Sequence, residues 1–329
     1  MAFRSGLGAQ LGLSKESTYG TYQAPARFFP FTSEGLSLSK EYVRSQGLRA
    51  GQLSQLAQLH RGTTRSVEGQ TQFELMNTGM GIFFDLLTGA TVTGEQIGSS
   101  DAYGFTFPVG LSPSEKSATV QVGRPSTDGT IQPFSYVGCM ISQMSISLEQ
   151  SGLATCTVTF DGRDELTSEA LAVATYDSDQ VPFDFTQGVV EFGGDSAGNV
   201  RSATIEIQIP LASNRYHFGN SGVKDQPIPN GLVAITCNTT LEFASLADHN
   251  RFKSEQIVEL SLPLVGDEIE NGGGNKYSCT FTLPAAKQVS SGPTVQGPDV
   301  ITTDVSFEAL ANGTDAPLSI EYVTTDTTI

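Results

Sequence analysis

The sequence predicts a mainly β protein of two tandem β-sandwich or barrel domains, each with a flanking short helix or helical turn. Three observations carry that expectation. Thr, Ser, Val and Gly are abundant while only 16% of the 329 residues are charged, a balance that suits pleated strands and glycine-served turns. Alternating apolar and polar stretches, the period of a half-buried strand, recur along the chain, as in "NVRSATIEIQIPL" with Ile205, Ile207 and Ile209 on one face. The length suits two domains of roughly 150 residues, and a hydrophobic content of 38% supplies their cores.

Taken in order, residues 1–26 are rich in Gly, Ser and Thr and read as an extended N-terminal arm. The first domain spans 27–165. There "FPFTSEGLSLSKEYV" alternates, a polar segment runs from Arg44 to Arg65, and "SVEGQTQFEL" resumes the strand pattern. Met80, Phe83, Phe84 and Leu87 then fall at i, i+3, i+4 and i+7. With Asn77 or Thr78 as N-cap and Gly89 as terminator, they predict a short amphipathic helix. "YGFTFPVG", "SATVQVGRP", "GCMISQMSISLE" and "LATCTVTFDG" are strand-like. The pattern lapses into charge and small residues over 161–179, which places a linker at 166–180 and a second domain at 181–329.

That second domain restarts the programme. "QVPFDFTQGVVEFGG" and "NVRSATIEIQIPL" precede the Pro- and Gly-rich loop "ASNRYHFGNSGVKDQPIPNG". "LVAITCNTTLEF" is a strand, and "SLADHNRFKSEQ" has room for a helical turn. "IVELSLPLV", "YSCTFTLP", "GPDVITTDVSFE" and "PLSIEYV" complete the set. "GPDVITTDVSFE" lies over "GCMISQMSISLE" at a spacing of 159 positions, with Ile146 on Val305, Leu148 on Phe307 and Glu149 on Glu308. Pro125 and Pro284 each stand 13 residues before the leading glycine. This register predicts that one piece of architecture is built twice, with both prolines closing strands and "LATCTVTFDG" answered by "APLSIEYVTT".

No active site emerges, so the chain reads as a non-enzyme without metal or cofactor. His60, His217 and His249 stand in polar loops or loop edges with no second ligand at metal spacing. Cys139, Cys156, Cys237 and Cys279 sit inside apolar alternation, where a thiol is a small buried hydrophobe. "DGRDE", with Asp161, Asp164 and Glu165, lacks the ligand pattern of a calcium loop and reads as a solvated turn. "GLGAQLG" has the wrong glycine spacing for a nucleotide loop. No stretch approaches the roughly 18 apolar residues of a membrane helix, and the start has no apolar run of a signal peptide, so a soluble protein made in a cytoplasm is expected. The net charge of −17, from 18 basic and 35 acidic residues, disfavours phosphate binding and fits a surface that lets DNA pass.

The cationic segment does rise above background. Arg44, Arg49, Arg61 and Arg65 fall within 22 residues of a chain with 18 basic residues in all. They, with Arg215, Tyr216 and Lys224 of the second long loop, are candidates for contacts with an acidic surface of another copy. Such a head-to-tail contact, repeated, makes a ring or a filament. The N-terminal arm would add a strand to a neighbour.

"GLGAQLGLSKESTYGT", "RFFPFTSEGLSLSKE", "SQGLRAG" and "VEGQTQFEL…GMGIFFDLLTG" resemble the tail tube (major tail) protein of long-tailed, non-contractile phages, of the type common in actinobacteriophages. "RSATIEIQIPLASNRYHFGNSGVKDQPIPNGLVAITCNTTLEF" and "YSCTFTLP…GPDVITTDVSFEAL" extend the resemblance over nearly the whole chain. It implies tube-type β domains that polymerise into stacked rings around an acidic-lined channel for DNA. It also implies a virion protein assembled in the host cytoplasm, with tape-measure and tail tip or terminator proteins as partners. If the family's ring holds six tube domains, three two-domain chains would close it with pseudo-sixfold symmetry; six chains with the second half outside are the alternative. The tube of a contractile injection or secretion system and a capsid-decoration protein are the rival readings.

Overall fold

The computed structural model describes residues 5–112, 114–290, 292–293, 295 and 297–329. The first half contributes β1 (Gln10–Lys15), β2 (Arg27–Phe28), β3 (Ser33–Glu34), β4 (Ser37–Arg44), β5 (His60–Glu74), α1 (Gly81–Leu87) and β6 (Glu95–Gln96). It continues with β7 (Tyr103–Val109), β8 (Ala118–Pro125), β9 (Ile131–Glu149), β10 (Thr155–Gly162) and β11 (Asp164–Leu166). The second half contributes β12 (Glu191–Phe192), β13 (Asp195–Ser196), β14 (Val200–Gln208), β15 (Ala234–Glu242) and α2 (Ala247–Lys253). It ends with β16 (Ile257–Glu268), β17 (Lys276–Gln288), β18 (Thr302–Ala309) and β19 (Leu318–Thr324).

β9 organises the fold because it serves two sheets. Its first part pairs with β8 and β11, and its second part with β10. The strand turns between them at Gly138, which has φ +67°. A side chain there would meet Arg163 Cβ at 2.8 Å and the Tyr19 ring at 3.0 Å, so glycine is required for space as well as for the left-handed backbone. The Gly138 amide donates to Glu16 Oε1 at 2.8 Å. The same carboxylate accepts from Thr119 Oγ1, Ser117 Oγ and the Gly20 amide, which ties the N-terminal segment to the corner.

Beyond the corner, Met144, Ile146 and Leu148 point into the core while Gln143, Ser145 and Ser147 point away. β9 continues there into a seven-strand antiparallel sheet of order β4–β5–β10–β9–β14–β15–β18. The β9–β14 ladder, from Glu149 opposite Ser202 to Gln143 opposite Gln208, carries it from the first half of the chain into the second. A reciprocal link lies on the other layer. There β7 pairs along its whole length with β19, which also pairs with β17.

α1 fills the space between the layers, with all seven residues buried. Phe83 packs on Phe29 and Phe73 at 4.8 and 4.9 Å between ring centroids. Phe84, about 100° around the helix, packs on Phe107, Phe281 and Tyr322 at 5.6, 6.0 and 5.8 Å. One core cluster therefore runs through both halves.

Several expectations change. Residues 10–15 are not a free arm: β1 pairs with β8, and Leu11 and Leu13 are buried. Residues 1–4 of that segment lie outside the described residues. α1 is present, but neither Asn77 nor Thr78 caps it and it ends at Thr88. Asn77 instead bonds Asp179 and Val181 in the stretch that follows β11. The predicted loop between Arg44 and Arg65 is shortened to 45–59, since β4 ends at Arg44 and β5 begins at His60.

The 159-position register also fails. Gly138 lies within β9, whereas Gly297 precedes β18. Pro125 ends β8, but Pro284 lies inside β17 beside a register shift in its pairing with β16, where a missing N–H is tolerated. β10 hairpins onto β9, while β19 pairs with β17 and not with β18.

A different correspondence is present in the pairings. β4–β5, β5–β10, β10–β9, β9–β8, β9–β11 and β8–β1 are matched by β14–β15, β15–β18, β18–β17, β17–β16, β17–β19 and β16–β12. Even the irregularities coincide: the β8–β9 register shifts between Ala118 and Val120, and the β16–β17 register between Val258 and Leu260. In this alignment "TCTVTFDG" of β10 falls on "TTDVSFEA" of β18.

Two substitutions test these supports. Gly138→Val should destabilise the protein by about 1–3 kcal/mol from backbone strain alone, read as a lower denaturation midpoint. Phe84→Ala should cost about 3–5 kcal/mol and lower the midpoint of the one cooperative transition that covers both halves.

Candidate assembly and channel surfaces

The seven-strand sheet has one face on the core and one turned outward, and alternation decides what the outward face carries. Across six strands its residues fall in register: Gln72 opposes Thr157, Thr157 opposes Ser145, Ser145 opposes Glu206, Glu206 opposes Thr236, and Thr236 opposes Glu308. The next row reads Glu74, Thr155, Ser147, Thr204, Asn238 and Ser306 in the same way. Ser147 and Thr204 hydrogen-bond each other at 3.0 Å, and Thr240 Oγ1 donates to Asp304 at 2.8 Å.

These rows hold hydroxyls, amides and carboxylates and no lysine. Arg201, at the β14–β15 irregularity, is engaged by Glu242 through two bonds of 2.8 and 2.6 Å. The face is thus smooth, hydrophilic and net acidic. Among the described residues it presents no hydrophobic patch to hold a partner and no cluster of free cations to hold a phosphate.

The edge beyond β5 behaves differently. The β4–β5 hairpin projects with most of its residues exposed, including Tyr42 and Val43. Tyr42 stacks on His60 at 4.9 Å. The 45–59 connection at its tip bares Leu48 and Leu53 completely, at 102% and 107% exposure. Two bare leucines beside three exposed arginines make this tip a candidate contact surface.

The predicted contact residues separate into two groups here. Arg44, Arg49 and Arg61 are exposed on the hairpin. Arg65 is already used: its guanidinium pairs with Asp164 at 2.7 Å and its amide donates to Gly222 at 2.9 Å.

The second long loop, 209–233, folds back over the base of that hairpin and is anchored there. Lys224 is fully buried and forms an ion pair with Asp161, also buried. Ser213 Oγ donates to the other Asp161 oxygen at 2.6 Å. Arg215 spends its guanidinium on the Gln226 carbonyl, and Tyr216 Oη reaches the Arg65 carbonyl at 3.4 Å. Lys224 is therefore an internal strut and not a contact to another copy, and Asp161 is not part of a solvated turn. Asp161 and Lys224 are 63 residues apart, and no local pattern announces such a pair. The same loop leaves Phe218 and Leu232 bare.

All four cysteines are free and buried, and burial pushes the Cys156 and Cys237 thiols up to about 12. Burial, followed by the charges of Glu16 and Asp161, raises Cys139 further. Among the described residues no group of His, Cys, Asp and Glu is arranged to hold a metal ion. No helix among them is long and apolar enough to cross a membrane.

A model of the family described as phage tail tube protein matches residues 6–309. No curated protein matches the chain.

Lys224→Met should destabilise the fold by about 3–5 kcal/mol because Asp161 is left buried and uncompensated, measured by equilibrium denaturation. The four thiols should stay silent to a thiol reagent at pH 8 in the native protein and react fully once denatured, because the thiolate is the reactive form.

Proposed function

The chain belongs to the phage tail tube protein family and is thus a structural component of a virion tail; on that premise we propose that the polar face of the seven-strand sheet lines the tube. Copies assemble into rings, the rings stack, and the channel lets DNA pass during ejection. The observation that carries this reading is the registered acidic and hydroxyl face. A chain of phosphates sliding along it meets like charge and weak neutral hydrogen-bonding groups, so nothing arrests it.

The exposed hairpin serves the contact between rings. Leu48 and Leu53 supply apolar burial, while Arg44, Arg49 and Arg61 fit an acidic surface of the next ring and set its orientation. The recurring strand plan supports a ring of three chains with pseudo-sixfold symmetry over one of six. Tape-measure and tail tip or terminator proteins complete the tail, and the tube is built in the host cytoplasm before DNA enters.

Negative-stain electron microscopy of the purified protein tests the reading. Hollow stacked rings are expected, with a ring mass three times the 34.9 kDa of the chain. A protein that stays monomeric at high concentration and with an initiator complex overturns it. The channel assignment has its own test. The double variant Glu206→Lys and Glu308→Lys changes half-exposed or exposed positions and should shift stability by no more than about 0.5 kcal/mol. Its tubes should retain DNA that unmodified tubes release, and raising the salt concentration should restore release.

A further inference from the structure

The seven-strand sheet ends at the outer edge of β4, which has no partner strand among the described residues. At its other end β18 pairs with the last residues of β17, after which Val289 stands exposed. Open edges of this kind are templates for pairing with another chain. The recurring strand plan specifies the partner, because inside one chain the equivalent edges are already joined.

The equivalences follow from the ladders. Ile141 opposes Phe160 and Gln288 opposes Phe307, so Gln143 of β9 corresponds to Ser290. Glu74 opposes Thr155 and Glu242 opposes Thr302, so β5 corresponds to β15 with Glu68 on Thr236. Ser37 opposes Glu68 and Glu206 opposes Thr236, so Ser37 corresponds to Glu206 and Ser39 to Gln208. Within the chain Gln208 lies opposite Gln143, and the Ile209 amide donates to the Ser142 carbonyl.

Resting on the tube reading, we infer that β4 of one copy pairs antiparallel with residues 288–290 of the next, Ser39 opposite Ser290 and Lys40 opposite Val289. This junction repeats between chains what the β9–β14 ladder does within one. The occupant is a second copy of this chain. Two different edges of identical chains are joined, so the contact is head-to-tail and a fixed rotation closes it into a ring. In the same register Leu36 and Leu38 correspond to Ile205 and Ile207 and face the core as they do, so this edge has the inward face of β14 and lacks the strand that β14 has beside it.

Disulfide trapping tests the register. Cross-strand neighbours place their Cβ atoms within about 4.5–5.5 Å, close to disulfide geometry, and the native thiols are buried. The pair Ser39→Cys with Ser290→Cys, assembled under reducing conditions and then oxidised, should give on a non-reducing gel a ladder that stops at the trimer. The pair Ser39→Cys with Val289→Cys is slipped by one residue. It should link roughly tenfold less, because one residue turns the side chain to the other face. Tubes that form from the first pair but do not link, or link no better than the slipped pair, overturn the register and leave the tube reading intact. A ladder that runs to six upholds the junction and replaces the ring size. A protein that never assembles overturns both.

Discussion

The β9–β14 ladder is the constraint on which the rest depends. It forces two halves of a chain that could have folded as separate sandwiches to share one sheet, and it sets the register of every outward residue from β5 to β18. β9 can reach β14 because Gly138 lets one strand leave the layer it shares with β8 and enter the layer it shares with β10. Without that corner the strand would continue flat and the two layers would not enclose a core.

Packing reinforces the same junction from below. Phe83 and Phe84 are adjacent in sequence, yet Phe83 packs on first-half rings while Phe84 joins Phe107 to Phe281 and Tyr322 of the second half, so the helix resists any opening between them. The exchange of β7 into the sheet of β19 works in the same direction. A subunit whose halves are locked in this way has two joints, one in each layer, that resist flexing between them.

Polar chemistry is divided between interior and surface with a consistent logic. Where charge is buried it is paired, as in Lys224 with Asp161 or Asp85 with Lys15 and Lys116, and there it fixes loops to the sheet. On the outward face charge is left in water and is net acidic, with Arg201 held by Glu242. The hairpin reverses the pattern, with arginines and bare leucines together. Three surfaces of one protein thus present three different chemistries: a polar acidic sheet face, a hairpin of arginines and bare leucines, and an open strand edge.

The sequence by itself determined the fold class, most of the strands, α1 and the burial of the cysteines, because those follow from local periodicity and side-chain chemistry. Ile205 and Ile207, or Phe83 and Phe84, declare their faces at short range. It also held the likeness between the halves, but in a register that only pairing could reveal: "TCTVTFDG" answers "TTDVSFEA", and alternating strands can be slid past one another by any even number of residues without losing their pattern. Tertiary structure alone decided that Lys224 is a buried strut, that residues 10–15 dock on β8, that Arg65 is committed to Asp164, and that β14 joins β9. Each joins residues tens to more than a hundred positions apart, and a sequence read along its length carries no record of which distant strand lies beside which.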